Sequence, residues 1–132
     1  MTLSDVRDFI ESLGVTENVY QGKMTDKEDK SIGVYNSKHS YPYKTALGGA
    51  SCASYGVKYM TFLVHWNKSP QDTENASNSL FGKLLEARDE VVNNKTIKFI
   101  QPLVDGPVPI DTDENGIFEM VIEAAVIYAK GE

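Results

Sequence analysis

The sequence holds one cysteine, Cys52, so no internal disulfide framework can staple it, and a lone thiol fits a reducing compartment. Three N-x-S/T sequons, beginning at Asn67, Asn75 and Asn94, carry no weight in such a compartment. No uninterrupted apolar run approaches the roughly 20 residues of a membrane span. Met1 to Asp5 contain no basic segment leading into an apolar stretch, so neither secretion nor membrane insertion is expected. Clusters of five or more Lys/Arg are also missing. With 13 basic against 19 acidic residues the net charge is -6, which repels phosphate backbones and argues against sequence-specific nucleic-acid binding. The glycines Gly14, Gly22, Gly33 and Gly48-Gly49 make no phosphate-binding motif, and no cofactor is implied.

What is present fits one α+β domain over residues 1–132, in the order α-β-β-β-α-β-β. Leu3, Val6, Phe9, Ile10 and Leu13 recur at helical spacing, with Thr2 placed to cap the first turn, Asp5 at N3 and Gly14 at the far end. ENVYQGKM and SIGVYNSK read as short strands on either side of the charged stretch 25–30, predicted as a hairpin connection. Residues 36–54, with Pro42 and Gly48-Gly49, read as an exposed, flexible loop.

Tyr55 to Trp66 alternate, with Val57, Tyr59, Thr61, Leu63 and His65 on one side and Met60, Phe62, Val64 and Trp66 on the other. Apolar residues on both sides predict a central strand covered by helix on one face and less completely on the other, for instance by a partner subunit. Ser69, Pro70 and Asp72 start a helix expected to run from Pro70 to Val92. A strand over 95–104, with Ile97 and Phe99 facing one way, is followed by the interruption Asp105-Gly106-Pro107-Val108-Pro109. The closing IFEMVIEAAVIYAK permits helix or strand. The Asn115-Gly116 turn before it and its β-branched and aromatic content favour strand, giving a mostly antiparallel sheet packed against a long helix.

Candidate chemistry is sparse. His65 beside Trp66 invites a base or a metal ligand, but the only other histidine, His39, lies in the loop. A small hydrolase using Cys52 or His65 is the enzymatic alternative, although Gly49-Ala50-Ser51-Cys52-Ala53 lacks the second glycine of a nucleophile elbow. Asp111-Thr112-Asp113-Glu114-Asn115-Gly116 opens like a calcium loop, yet its twelfth position is Ile122 instead of a bidentate glutamate. A turn satisfied by its own Asp and Asn side chains is expected, with weak cation binding as the alternative. Asp26, Glu28 and Asp29 alternate with Lys27 and Lys30, the pattern of a solvated or intersubunit surface.

Asp26 to Tyr35, then Gly48-Gly49, then Leu63-Val64-His65-Trp66-Asn67 leading into the capped helix, resemble the small minor capsid proteins of tailed bacteriophages. That family is similar to tail terminator proteins, which close the head-proximal end of the tail tube. The resemblance spans nearly the whole chain. It implies a homo-oligomeric, commonly hexameric ring that stops tail-tube polymerisation, contacts the major tail tube protein and offers a surface to the head-completion connector protein. It further implies residence in the virion tail or neck after assembly in the host cytoplasm. Candidate interface residues are Asp26, Lys27, Asp29, Lys30, Tyr35, Tyr41, Tyr43 and Trp66, with no catalytic, cofactor or metal residues. Another neck, connector or tube-forming protein is the alternative.

Overall fold

The computed structural model of the chain describes residues 1–22, 29–37 and 55–130. Helix α1, Leu3–Ser12, starts as the sequence predicts. Thr2 Oγ1 accepts from the Asp5 amide at 3.2 Å and Asp5 Oδ2 accepts from the Thr2 amide at 2.8 Å, a reciprocal capping box. Gly14, at φ 76°, takes the left-handed position just past the helix and donates to Glu11 O.

Strands β1, Asn18–Gln21, and β2, Ser31–Asn36, lie side by side, but they run parallel, with Asn18 opposite Ser31 and Gln21 opposite Val34. The hairpin expected between them is therefore corrected. Parallel neighbours need a connection that runs back along the strand. Gly22, at φ 69°, turns the chain while its amide donates to Val34 O at 2.9 Å, and Thr16 Oγ1 donates to Lys30 O. These two bonds tie β1 and its approach to β2.

β3, Tyr55–His65, pairs antiparallel with β2 on one side and β7 on the other, which makes it the central strand expected. Helix α2 begins at Pro70 with Ser69 Oγ accepting from the Asp72 amide at 3.2 Å. It ends at Glu86, short of the predicted Val92, because Ala87 is already extended and residues Arg88–Val92 form β4. Asn93 and Asn94, at φ 51° and 63°, supply the two left-handed positions of a tight hairpin turn into β5, Lys95–Pro102. A bulge between Ile97 and Phe99 puts Ile97 and Ile100 in the core and leaves Phe99 outside, so Ile97 and Phe99 do not share a face. Within the interruption predicted at 105–109, a short strand β6, Val108–Ile110, forms against β7, Glu119–Ala129.

The sheet order is β1-β2-β3-β7-β5-β4, with β6 alongside β7, and only β1–β2 is parallel. Both helices pack on the same face. Val6, Phe9 and Ile10 of α1 join Leu80 and Leu84 of α2 against Ile32, Val34, Met60, Phe62, Val64, Ile122 and Val126 in one core. α2 covers β3, β5 and β7, whereas α1 touches β1 and β2 and also β4, at the opposite edge. One helix can reach both edges only if the sheet curls, so the architecture is a half-barrel closed by α1. Arg7 Nε donates to Val19 O of β1 at 3.0 Å, while Asn93 Nδ2 and Lys95 Nζ reach Asp5 at 2.9 and 2.7 Å. No described helix is long and apolar enough to cross a membrane.

Candidate assembly surface

At the exit of β3 the backbone is locked from three directions. Lys30 N donates to Trp66 O at 2.7 Å, Trp66 N to Phe118 O at 3.2 Å, and Phe118 N to Asn67 O at 2.9 Å. Asn67 continues the lock into α2: its Oδ1 accepts from the Ser69 amide at 2.9 Å and its Nδ2 donates to Asp72 at 3.2 Å. The Trp66 side chain packs, partly buried, against the core. The strand-to-helix angle is thus fixed by hydrogen bonds from the residues just before β2 and β7 and from the helix cap.

His65, 8% exposed, faces away from the helices. Its Nδ1 lies 2.9 Å from Glu119 Oε2 and its Nε2 lies 3.7 Å from Asp113 Oδ2. Asp113 Oδ1 accepts from the amides of Asn115 and Ile117, both at 2.9 Å, and Gly116 takes φ 80°. The calcium-like opening is therefore an Asx turn whose central carboxylate is already engaged by backbone amides and His65. Among the described residues no group of three or more His, Cys, Asp or Glu could hold a metal ion, and no nucleophile stands beside His65. The described residues assemble no catalytic constellation.

Among the described residues no helix packs on the outer face of the sheet, opposite α1 and α2. Strand register orders its side chains in rows: His65 beside Glu119 and Ile110; Leu63 beside Val121 and Val108; Tyr35 beside Thr61 and Glu123; Val57 beside Ile127 and Phe99. Tyr55, Phe99, Val108 and Ile110 all stand on this face, and they are four of the six large apolar side chains that stay exposed among the described residues. Near the middle, Glu123 accepts from Thr61 Oγ1 at 2.8 Å and Ser37 Oγ at 3.2 Å. Arg88 lies 5.9 Å from the Phe99 ring centroid. A half-exposed apolar face around a pinned carboxylate suits a protein interface better than a small-molecule pocket.

Of the sequence-predicted interface residues, Tyr35 stands half-buried on this outer face, while Asp29 and Lys30 are exposed at the start of β2 beside the His65–Trp66 exit. Trp66 sits at that exit as a packing residue. Asp26, Lys27, Tyr41 and Tyr43 lie outside the described residues, as do His39 and Cys52. Sequence reasoning missed Phe99, Val108, Ile110 and Glu123. The alternation of Val121, Glu123 and Ile127 carries the signal for Glu123, and the apolar residues flanking Pro109 carry it for β6.

A model of bacteriophage tail terminator proteins matches residues 9–130, from within α1 to just past the end of β7. No curated protein matches the chain.

Proposed function

The chain belongs to the bacteriophage tail terminator family, and we propose that copies of it assemble as a ring, hexameric by family analogy, on the head-proximal end of the tail tube. The ring ends tube polymerisation and presents its opposite side to the head-completion connector protein. Its place is the virion tail or neck, reached after assembly in the host cytoplasm. The family match over 9–130 carries this reading. The fixed junction at Trp66–Ser69 supports it, since every copy then presents its sheet and helix at the same angle, as a closed ring requires. The largely apolar outer face offers an area to bury between subunits or against the tube.

Purified protein mixed with its cognate tail tube tests the proposal by negative-stain imaging and native mass measurement. A discrete ring capping one tube end is expected. Open helical tubes made by this chain alone indicate a tube protein instead, and a chain that neither caps nor binds the tube overturns the terminator reading.

A further inference from the structure

Asn115-Gly116 is the only Asn-Gly pair in the chain, and such a pair has a chemistry of its own besides shaping a turn. Glycine has no Cβ to shield its amide nitrogen, which leaves that nitrogen open to the side-chain carbonyl carbon of the asparagine before it. In the reaction the Gly116 nitrogen gives its proton to water and bonds to Asn115 Cγ. The Cγ–Nδ2 bond then breaks and Nδ2, having taken up a proton, leaves as ammonia. Water opens the resulting cyclic imide at either carbonyl, so position 115 becomes an aspartate or an isoaspartate. One amide and one water are consumed, one carboxylic acid and one ammonia are formed, and nothing is oxidised or reduced.

Both residues are exposed, so water reaches them, yet the turn holds the attacking nitrogen. Gly116 N donates to Asp113 O at 3.0 Å. The amides on either side of it, those of Asn115 and Ile117, both donate to Asp113 Oδ1 at 2.9 Å. Asp113 N in turn donates to Ile117 O at 3.0 Å. One residue thus accepts from three consecutive amides around the reactive bond. A nitrogen engaged in this way neither releases its proton readily nor turns toward Cγ, and the reaction has to start from an opened turn.

We infer that Asn115 is a site of spontaneous deamidation, latent in the folded chain and kept latent by Asp113. Its modification reaches beyond the turn. An isoaspartate carries the main chain through its own side chain and adds one atom between positions 115 and 116, so Asp113 Oδ1 no longer spans the two amides that it now joins. Phe118, the next residue along, accepts from Trp66 N at 3.2 Å and donates to Asn67 O at 2.9 Å. Loss of the turn therefore loosens the junction between β3 and α2. The added carboxylate also joins Asp113 and Glu114 in the same turn, where like charges repel.

The test incubates the full-length chain in mildly alkaline buffer, folded and unfolded in guanidinium, and follows the peptide containing position 115 by mass and by enzymatic methylation of isoaspartate. The folded parent is expected to deamidate there about tenfold more slowly than the unfolded chain, or slower still. Asp113→Ala should approach the unfolded rate, while Asp113→Asn, which keeps an acceptor oxygen for the amides, should stay near the parent. Amide exchange in β3 that remains slow in Asp113→Ala identifies local opening instead of unfolding. Parent protein that has been modified and repurified should exchange faster at Trp66 and Phe118. An unfolded chain that stays intact at 115, or a folded parent that reacts as fast as the unfolded chain, overturns the inference without any variant. Asp113→Ala that reacts as slowly as the parent removes Asp113 as the holding group, and unchanged exchange at Trp66 and Phe118 removes the link to the junction.

Discussion

The Tyr128 ring lies against Gly56 so closely that a Cβ built on Gly56 would stand 2.4 Å from Tyr128 Cζ. The two residues face one another across β3 and β7, and the aromatic side chain fills the place a side chain at 56 would take. Gly56→Ala is expected to lower stability by about 1–3 kcal/mol, the usual range for overpacking. Urea unfolding measures it, and Tyr128→Leu in the same chain should recover part of the loss. An additive double variant would show that the contact is not the cause.

Asp5 anchors α1 to the β4–β5 hairpin. Burial pushes its carboxyl up, but the Lys95 ammonium, the Thr2 amide and hydroxyl and the Asn93 amide outweigh it and hold it well below the usual carboxylate range. A carboxyl lowered by folding contributes stability that is fully present above its unfolded value, near pH 4, and is lost as pH falls through the folded one. Asp5→Asn is expected to cost about 1–2 kcal/mol at neutral pH. The difference between the two proteins should shrink on acidification below about pH 4 in thermal unfolding followed against pH. A difference that stays constant to pH 2 contradicts this.

Asp113 holds the turn before β7 through two amides and a contact with His65. Asp113→Ala is expected to cost about 1–2 kcal/mol and to speed amide exchange at Asn115 and Ile117. Because this carboxylate is already engaged, millimolar calcium should leave the melting temperature of the parent protein unchanged. A rise in melting temperature with calcium restores the cation-site reading.

Ser69→Ala removes the acceptor for the Asp72 amide at the start of α2 and is expected to cost about 1 kcal/mol. Ser69→Asp, which keeps an acceptor there, should cost less. Equal losses would show that the side-chain bond to the Asp72 amide is not what the substitution costs.

Local chemistry was the legible part of this fold. Thr2 with Asp5, and Ser69 with Pro70 and Asp72, mark helix starts through hydrogen bonds made within a few residues, and both starts are where the pattern puts them. Strand β7 was readable because β-branched and aromatic residues outweigh alanine and glutamate, which taken alone permit a helix. The end of α2 was harder. Leu84, Leu85, Ala87 and Val91 keep helical spacing, and only the left-handed pair Asn93-Asn94 signals that the chain has already turned to a hairpin. The parallel pairing of β1 with β2 depends on the route of a connection, and composition does not encode a route. The site divides likewise: Tyr35 and Trp66 stand out as aromatics, but the outer-face rows exist only once register brings Val108, Val121 and Leu63 together.

Closure of the half-barrel by α1 has a consequence for the order in which the molecule forms. The helix is made well before two of the groups that hold it, since Asn93 and Lys95 lie 88 and 90 residues beyond their acceptor Asp5. The bonds that tie it to the far edge can therefore form only once the β4–β5 hairpin exists, whereas its packing on β1 and β2 does not depend on that hairpin. Contacts of such sequence separation make folding slow. Closing the half-barrel thus joins segments that lie far apart along the chain.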